Sequence, residues 1–414
     1  MTSAARAVAT AAISMSVVLT ACGGRTSHGE AREPLTARAG AALTPSSPTA
    51  STTASPVAIP RPIKHRISVD LAPAVTLAPS GLRTGRPPRV PWMEGRTLHF
   101  RDHDVTPAPY LTYSSTPDAS APDGTGAVVE VWDRNPLIIW YDAAGKRIKQ
   151  SLFSDGLAWS PQFHEVVWTN PRGEVVVASS TTGRILHRYQ PPHPAPSPMA
   201  AGWLGAGDVL FPVGFGVPGA WRTSSNAVTA QPASPVAVSA RSGLVAGVRT
   251  RSRSSDVGCL AVWEAGDPSP VLWDGCLTRR GRAYSGSSGT FSPDGRLFAD
   301  SEGYFDKGTS QPFVVVLNAR SGAVVARLDE GRDDGSFRRA QYLVSALRWE
   351  DNTHLLLVVA DRTLAVIGSA GEIQPLEALV RCDVHTVTCE LATTPRRTTP
   401  VDTAAYGLIG APQQ

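Results

Sequence analysis

Phe291-Ser292-Pro293-Asp294-Gly295-Arg296-Leu297-Phe298-Ala299 reads as a β-hairpin whose turn chemistry is fully specified. An apolar strand end meets a polar turn, and a second apolar stretch follows at once. Pro293 pre-sets φ for the first turn position, Asp294 can close an Asx-type hydrogen bond, and Gly295 supplies a positive φ. Weaker copies of this unit recur along the chain. Trp159-Ser-Pro-Gln162 leads into His164–Trp168, and Trp203–Asp208 leads into Val209–Val213. Val238–Gly243 leads into Leu244–Val248, and Trp349–Thr353 leads into His354–Val359. A vaguer unit runs from Tyr110–Tyr113 into Ala127–Trp132.

These units lie roughly 35 to 60 residues apart, the period of four-stranded propeller blades. Two further strands follow the better ones. After Trp159 they are Gly173–Ala178 and Ile185–Tyr189, around the turn Thr182-Gly183; after Phe291 they are Phe313–Leu317 and Ala323–Arg327, around Ser321-Gly322. The expected fold is an all-β propeller of seven four-stranded blades, with six or eight as alternatives. Radial stacking of sheets removes most exposed edges, the standing hazard of all-β chains. Arg96–Phe100 is expected to pair near Arg381–Leu391 and close the ring.

On Phe291–Arg296, Trp159-Ser-Pro161 and the blade period, the chain resembles the TolB-like and Trp-Asp-repeat-like propellers of bacterial exported proteins, across roughly residues 88 to 395. The resemblance is one of fold. The Trp-Asp repeat also carries a Gly-His pair early in each blade, which this chain lacks. Trp132-Asp133 and Trp273-Asp274 share no blade position and are read as coincidence.

The bulk composition agrees with many turns: 37 Gly and 35 Pro, with aromatic residues at 7%. Basic and acidic residues nearly balance, 39 against 35, for a formal charge of +4. A nucleic-acid binder concentrates Lys and Arg on one face; here they are scattered, so no nucleic-acid partner is expected.

The amino terminus reads as an address. Arg6 precedes an apolar Ala/Val/Ile/Leu run over residues 1–21, too short and lightly flanked for a spanning helix. It ends in Leu19-Thr20-Ala21-Cys22, which resembles the lipobox of bacterial lipoproteins of actinobacterial type. The resemblance implies that the Cys22 thiol carries a diacylglycerol, holding the protein at the extracytoplasmic face of the cell membrane. Each buried methylene of an acyl chain contributes about 0.8 kcal/mol. An ordinary secretory signal with an incidental Cys is the alternative. Residues 22–66, rich in Thr, Ser and Pro, bury too little apolar surface to offset their ordering entropy and read as a tether. The propeller is expected over 67–395 and a carboxy-terminal tail over 396–414.

Cys22 aside, four cysteines remain. Opposed residues of a hairpin have a constant sum of positions. For Cys259 and Cys276 that centres the turn between Asp267 and Pro268, within Gly266–Ser269. For Cys382 and Cys389 it centres on His385-Thr386. Both pairs face across their own hairpins, which suits two local disulfides in an oxidising compartment. Zinc is the alternative, but neither pair has Cys-x-x-Cys spacing.

Little else carries chemistry. Gly214-Phe-Gly-Val-Pro-Gly219 matches the dinucleotide fingerprint in letters, but Pro218 and strand-like Ala220-Trp221 argue for a strand-to-strand loop. Ser285–Gly289 lacks the strand-to-helix setting of a nucleophile elbow. Asp102-His-Asp104 reads as a solvated loop, and His164, His187, His193 and His354 are dispersed. No catalytic residue, metal site or cofactor is assigned. Long connections gather on one face, at Gln190–Ala200, Arg249–Val257, Thr278–Ser288, Ser301–Gln311 and Glu330–Gln341. They carry Arg249, Arg251, Arg253, Arg279, Arg280, Arg282, Arg338 and Arg339, a candidate surface for an acidic partner. The expected function is a non-catalytic binding or scaffolding module at the cell envelope, with a protein or polymer partner. The alternative is an exported lyase, glycosidase or lactonase with its site in the central channel. An enzyme needs acids or histidines converging there. The strands read as innermost, around Thr112, Ala158, Gly202, Ala237, Thr290 and Ala346, are small and mostly uncharged.

Overall fold

The computed structural model describes most of the chain between residues 64 and 408; residues 1–63, 106–118, 192–201, 251–257, 330–341 and 409–414, with shorter stretches between strands, lie outside it. The export signal, Cys22, most of the tether and Tyr110–Tyr113 therefore fall outside the described residues.

Short strands of β-branched and aromatic residues pair antiparallel with their sequence neighbours, forming meanders. The first comprises Ala119–Ser120, Gly126–Val131, Leu137–Asp142 and Arg147–Leu152. The second runs Asp155–Trp159, Glu165–Thr169, Val175–Ser179, Ile185–Tyr189, and the third Gly202–Leu204, Asp208–Val213, Val217–Arg222, Ala227–Ala230. The fourth is Ser234–Ser239, Leu244–Thr250, Gly258–Glu264, Trp273–Arg279, and the fifth Ser288–Phe291, Leu297–Phe305, Ser310–Asn318, Val324–Asp329. The sixth is Tyr342–Trp349, His354–Ile367, Ile373–Asp383, Thr388–Leu391. The seventh takes its first strand, Tyr406–Leu408, from the far end of the chain and pairs it with Trp92–Glu94, followed by Thr97–His99 and Asp104–Val105.

First strands of successive sheets are neighbours in space. From the first sheet to the seventh, consecutive sheets also pack face to face. Ile138 and Trp140 of the first meet Val166, Trp168 and Val176 of the second; Val167 and Val177 of the second meet Trp203, Val209 and Trp221 of the third. The pattern continues through the fourth, fifth and sixth sheets to Tyr406 of the seventh. This is a β-propeller. Burial on both faces explains why Glu165–Thr169 and Leu355–Val359 read as near-continuous apolar runs without alternation. Trp140 and Trp168 meet edge to face with centroids 5.6 Å apart, a geometry that adds about 0.5–1.5 kcal/mol beyond area.

The Phe291 hairpin has the turn its residues call for. Gly295 sits at φ 69°, the Ser292 hydroxyl donates to Asp294 at 2.7 Å, and Asp294 accepts from the Arg296 N–H at 3.1 Å. The turn also reaches its neighbours, since the Asp294 N–H donates to Asn352 of the next blade at 3.0 Å. The turns between third and fourth strands repeat another motif. The Asn318 side chain accepts from the Arg320 and Ser321 N–H groups, and Gly322 follows at φ 70° beneath the ring of Trp273 from the preceding blade.

The strand expected around Thr112 lies outside the described residues, and the first described strand of that blade is Ala119–Ser120. Two features differ from the sequence reading. The ring is not closed by pairing Arg96–Phe100 near Arg381–Leu391; Tyr406–Leu408 closes it, so part of the expected tail is a blade strand. Strand structure also begins at Lys64, inside the expected tether. Lys64–Ser68 adds in parallel to the outer strand of the fourth blade, and Ala74–Thr76 does so on the fifth. Thr84 bridges in parallel to Leu391 on the sixth. The pairs centred on Arg66, Val75 and Thr84 fall at equal steps, so this strap covers three successive blade edges before entering the seventh blade. Val69 and Leu77 are fully buried and peg it into the seams between blades. The strap pairs on one side only, which is why it tolerates prolines at 73, 79, 87 and 88.

Candidate functional site: the long-hairpin face and the buried charges

Alternating strand direction places the first-to-second and third-to-fourth turns of every blade on one face. The second-to-third hairpins and the links between blades lie on the other. On that second face the fifth and sixth blades have long hairpins, Leu297–Phe305 with Ser310–Asn318 and His354–Ile367 with Ile373–Asp383. Ser301–Gln311 is thus strand for most of its length and not an open loop. Within Thr278–Ser288, Arg282–Ser285 pairs back on Trp273–Arg279 and onto Tyr304 and Phe305, joining the fourth and fifth blades into one sheet.

This ordering relocates the candidate arginines. Arg249 lies within a strand opposite Cys259 and donates to buried Asp274 at 3.2 Å, so it braces its own blade. Arg279 is the last residue of its strand, opposite Arg282. Arg251, Arg253, Arg280, Arg338 and Arg339 lie outside the described residues. Disulfides join Cys259 to Cys276 and Cys382 to Cys389, each across its own hairpin. Across the dinucleotide-like stretch Val213 pairs with Val217, and its described residues from Val217 onward belong to the strand Val217–Arg222. Gly289 of the Ser/Gly stretch is a packing residue, since a Cβ there would strike the Phe298 ring. Of Asp102-His-Asp104, only Asp104 is described; it accepts from, or shares a proton with, His99 Nδ1 at 2.9 Å.

The charged residues with the most unusual surroundings belong to the sixth blade. Arg381, 2% exposed in its side chain, forms a two-pronged pair with fully buried Glu350, at 2.6 and 2.8 Å. It also donates to Glu390 at 2.9 Å and to the carbonyls of Arg86 and Pro87, both at 2.9 Å. Glu350 accepts in turn from the Arg89 N–H at 2.6 Å. Burial works against the Arg381 charge, but Glu350 and then Glu390 outweigh it and hold the guanidinium above its ordinary value. Arg348 donates to the Pro91 carbonyl at 3.2 Å, and burial lowers its pKa to about 9, still charged at neutral pH. Glu377 accepts from the Ala405 N–H at 2.7 Å at the start of the closing strand. Burial raises its pKa, opposed by the N–H groups of Ala405 and Tyr406. Each of these ions therefore holds backbone from one of the two ends of the propeller chain.

Two histidines also stand between acidic groups. His354 Nδ1 lies 2.9 Å from Asp351 and Nε2 lies 3.8 Å from Asp383, at the base of the sixth blade. Burial pushes the Asp351 pKa up, but N–H and hydroxyl donors from Thr353 and His354 bring it down to about 2. His99 stacks on Trp92 with centroids 4.0 Å apart, between Asp104 and Glu94. Among the described residues, no group of three acidic, His or Cys side chains is placed to hold a metal. Sequence reasoning missed Arg381, Glu350 and Glu377, because isolated charges in apolar strands carry no spacing signal.

No protein-family profile matches the chain, and no curated protein matches it. Solved structures do. The Cps50 (Swd1) β-propeller domain of Myceliophteria thermophila is 8% identical, over 68% of this chain and 96% of that one, with a TM-score of 0.42. U3-55K is 10% identical, over 69% and 83%, with a TM-score of 0.45. The WD40 repeats of RRP9 are 10% identical, over 68% and 81%, with a TM-score of 0.43. The propeller assignment rests on the chain's own sheet order and the packing between its blades.

Proposed function

We propose that this chain is a lipid-anchored, extracytoplasmic β-propeller that binds a protein partner at the cell envelope and performs no chemistry itself. The observation that carries the binding role is the use of the buried ions. Arg348, Glu350, Glu377 and Arg381 are committed to the strap and the closing strand, so these buried charges serve closure of the ring. Catalytic acids in a propeller would instead be directed to a shared cavity. Leu19-Thr-Ala-Cys22 supports the anchor, and two cross-hairpin disulfides suit an oxidising compartment. Long hairpins on one face of a rigid scaffold supply the recognition surface.

The test is proximity labelling in cells by the full chain fused to a labelling enzyme, compared with a Cys22→Ser version. The wild-type chain is expected in the membrane fraction, labelling a reproducible set of envelope proteins, and the variant is expected in the soluble fraction. Membrane retention of the variant would overturn the anchor. A label set no different from that of an unrelated anchored domain would overturn the binding role.

A further inference from the structure

The sixth blade's second-to-third hairpin leaves the body of the propeller with an unusual composition. Its base is marked by Asp361, fully buried, which pairs with Leu376, which in turn pairs with Arg397. Beyond that row the outgoing strand bulges before Val366 pairs with Gln374 and Ile367 with Ile373, so the paired hairpin runs on for about 10 Å at about 3.3 Å per residue of its returning strand. Leu364, Val366 and Ile367 are exposed there, at 41%, 41% and 79%. They are three of the most exposed large apolar residues in the described chain, within four successive positions. Arg362, Arg396 and Arg397 stand at the base, where Arg396 pairs with Glu94 and Arg397 donates to the Leu364 carbonyl.

We propose that this hairpin is a membrane-contact element, inserting Leu364, Val366 and Ile367 into the interface of an anionic bilayer with its basal arginines at the headgroups. Two observations favour lipid over a protein groove. Val366 and Ile367 are consecutive strand residues, so they project from opposite faces, and both are exposed. A protein surface would cover one face, whereas the interfacial layer of a bilayer surrounds both. The order of apolar residues outward and arginines inward is also that of interfacial anchors, with guanidinium groups reaching phosphates. The inference deepens the envelope reading and rests on it for physiological context.

The experiment is flotation of the full chain carrying Cys22→Ser, and hence unacylated, with phosphatidylcholine vesicles with and without phosphatidylglycerol. The chain is expected to float with the anionic vesicles, less so as salt is raised. Leu364→Ser, Val366→Ser and Ile367→Ser together are expected to lower partitioning by at least about a hundredfold, at about tenfold for each large apolar side chain kept in water. An unchanged thermal midpoint for that exposed triple variant shows that folding is intact. Failure of the unacylated chain to float, or equal flotation of the triple variant, overturns the proposal. So does loss of a labelled protein partner by the triple variant without any vesicle binding, which would make the hairpin a protein contact. Acylation of Cys22 is read separately, by mass spectrometry of the wild-type chain, so the anchor and the hairpin fail independently.

Discussion

Arg381→Met removes the centre of the clasp that ties the strap to the sixth blade, and its cost follows from what is left behind. Glu350 would stay fully buried, keeping the Arg89 N–H but losing both guanidinium bonds. The carbonyls of Arg86 and Pro87 would lose their donors as well. Breaking a buried pair from one side costs about 3–5 kcal/mol, because the surviving charge is uncompensated. Each orphaned carbonyl adds up to about 1 kcal/mol if water does not reach it. The single variant is therefore expected to lose about 4 kcal/mol in urea-induced unfolding of the purified chain. Replacing Glu350 by Leu in the same chain removes the orphan, and the double variant is expected to recover at least about 2 kcal/mol of that loss. A loss below about 1 kcal/mol, or a double variant as unstable as the sum of the singles, would refute the clasp.

Other outcomes follow from single positions. Gly295→Ala places a Cβ 2.2 Å from the Ser242 hydroxyl at φ 69°, and is expected to cost about 1–3 kcal/mol by thermal unfolding. Gly81→Ala, with nothing within 4 Å, should change stability by less than about 0.5 kcal/mol. Replacing Cys259 and Cys276 by Ala opens a bridge spanning 17 positions and is expected to cost about 3 kcal/mol in non-reducing denaturation. Replacing Cys382 and Cys389, only 7 positions apart, should cost less. Asp351 is held down to about 2, so its contribution is full above the ordinary aspartate range and is lost as pH falls from about 4 towards 2. Asp351→Asn is expected to flatten acid unfolding across that window while leaving the neutral-pH rank order of other variants unchanged.

The parts of this fold legible in the sequence are those whose signal is local. Phe291–Ala299 was readable because a Pro, an Asp and a Gly at successive turn positions each do something only that residue does well, and Gly295 is found at the positive φ its place requires. The cysteines were readable because hairpin register is arithmetic, and Leu260 opposite Gly275 carries the same sum as Cys259 and Cys276. The strap was not readable. Its strands are three to five residues long, their partners lie in blades far along the chain, and their burial comes from isolated pegs such as Val69 and Leu77. Tyr406–Leu408 is likewise a three-residue strand whose meaning depends on Trp92, more than 300 positions away along the chain. Arg249 is placed differently from its sequence reading for a related reason. Composition shows that Arg249 borders a long connection, but only register shows that it lies opposite Cys259 and within reach of Asp274.

Closing a ring of sheets leaves two problems that the local hairpin code does not solve: how to join the ends, and how to cover the outer edges. This chain meets both with segments that carry almost no periodic pattern, and it secures them with charges from a single blade. Glu377 holds the Ala405 N–H of the closing strand, while Arg381, Glu350 and Arg348 hold residues 86 to 91 of the strap. The strap begins, among the described residues, at Lys64, inside the expected tether. Arg348, Asp361, Glu377 and Arg381 are all buried in strands of one blade otherwise filled mainly by Leu and Val. A hydrogen bond to a charged group fixes direction as well as distance, so this cluster sets the register of segments whose own side chains carry no periodic pattern.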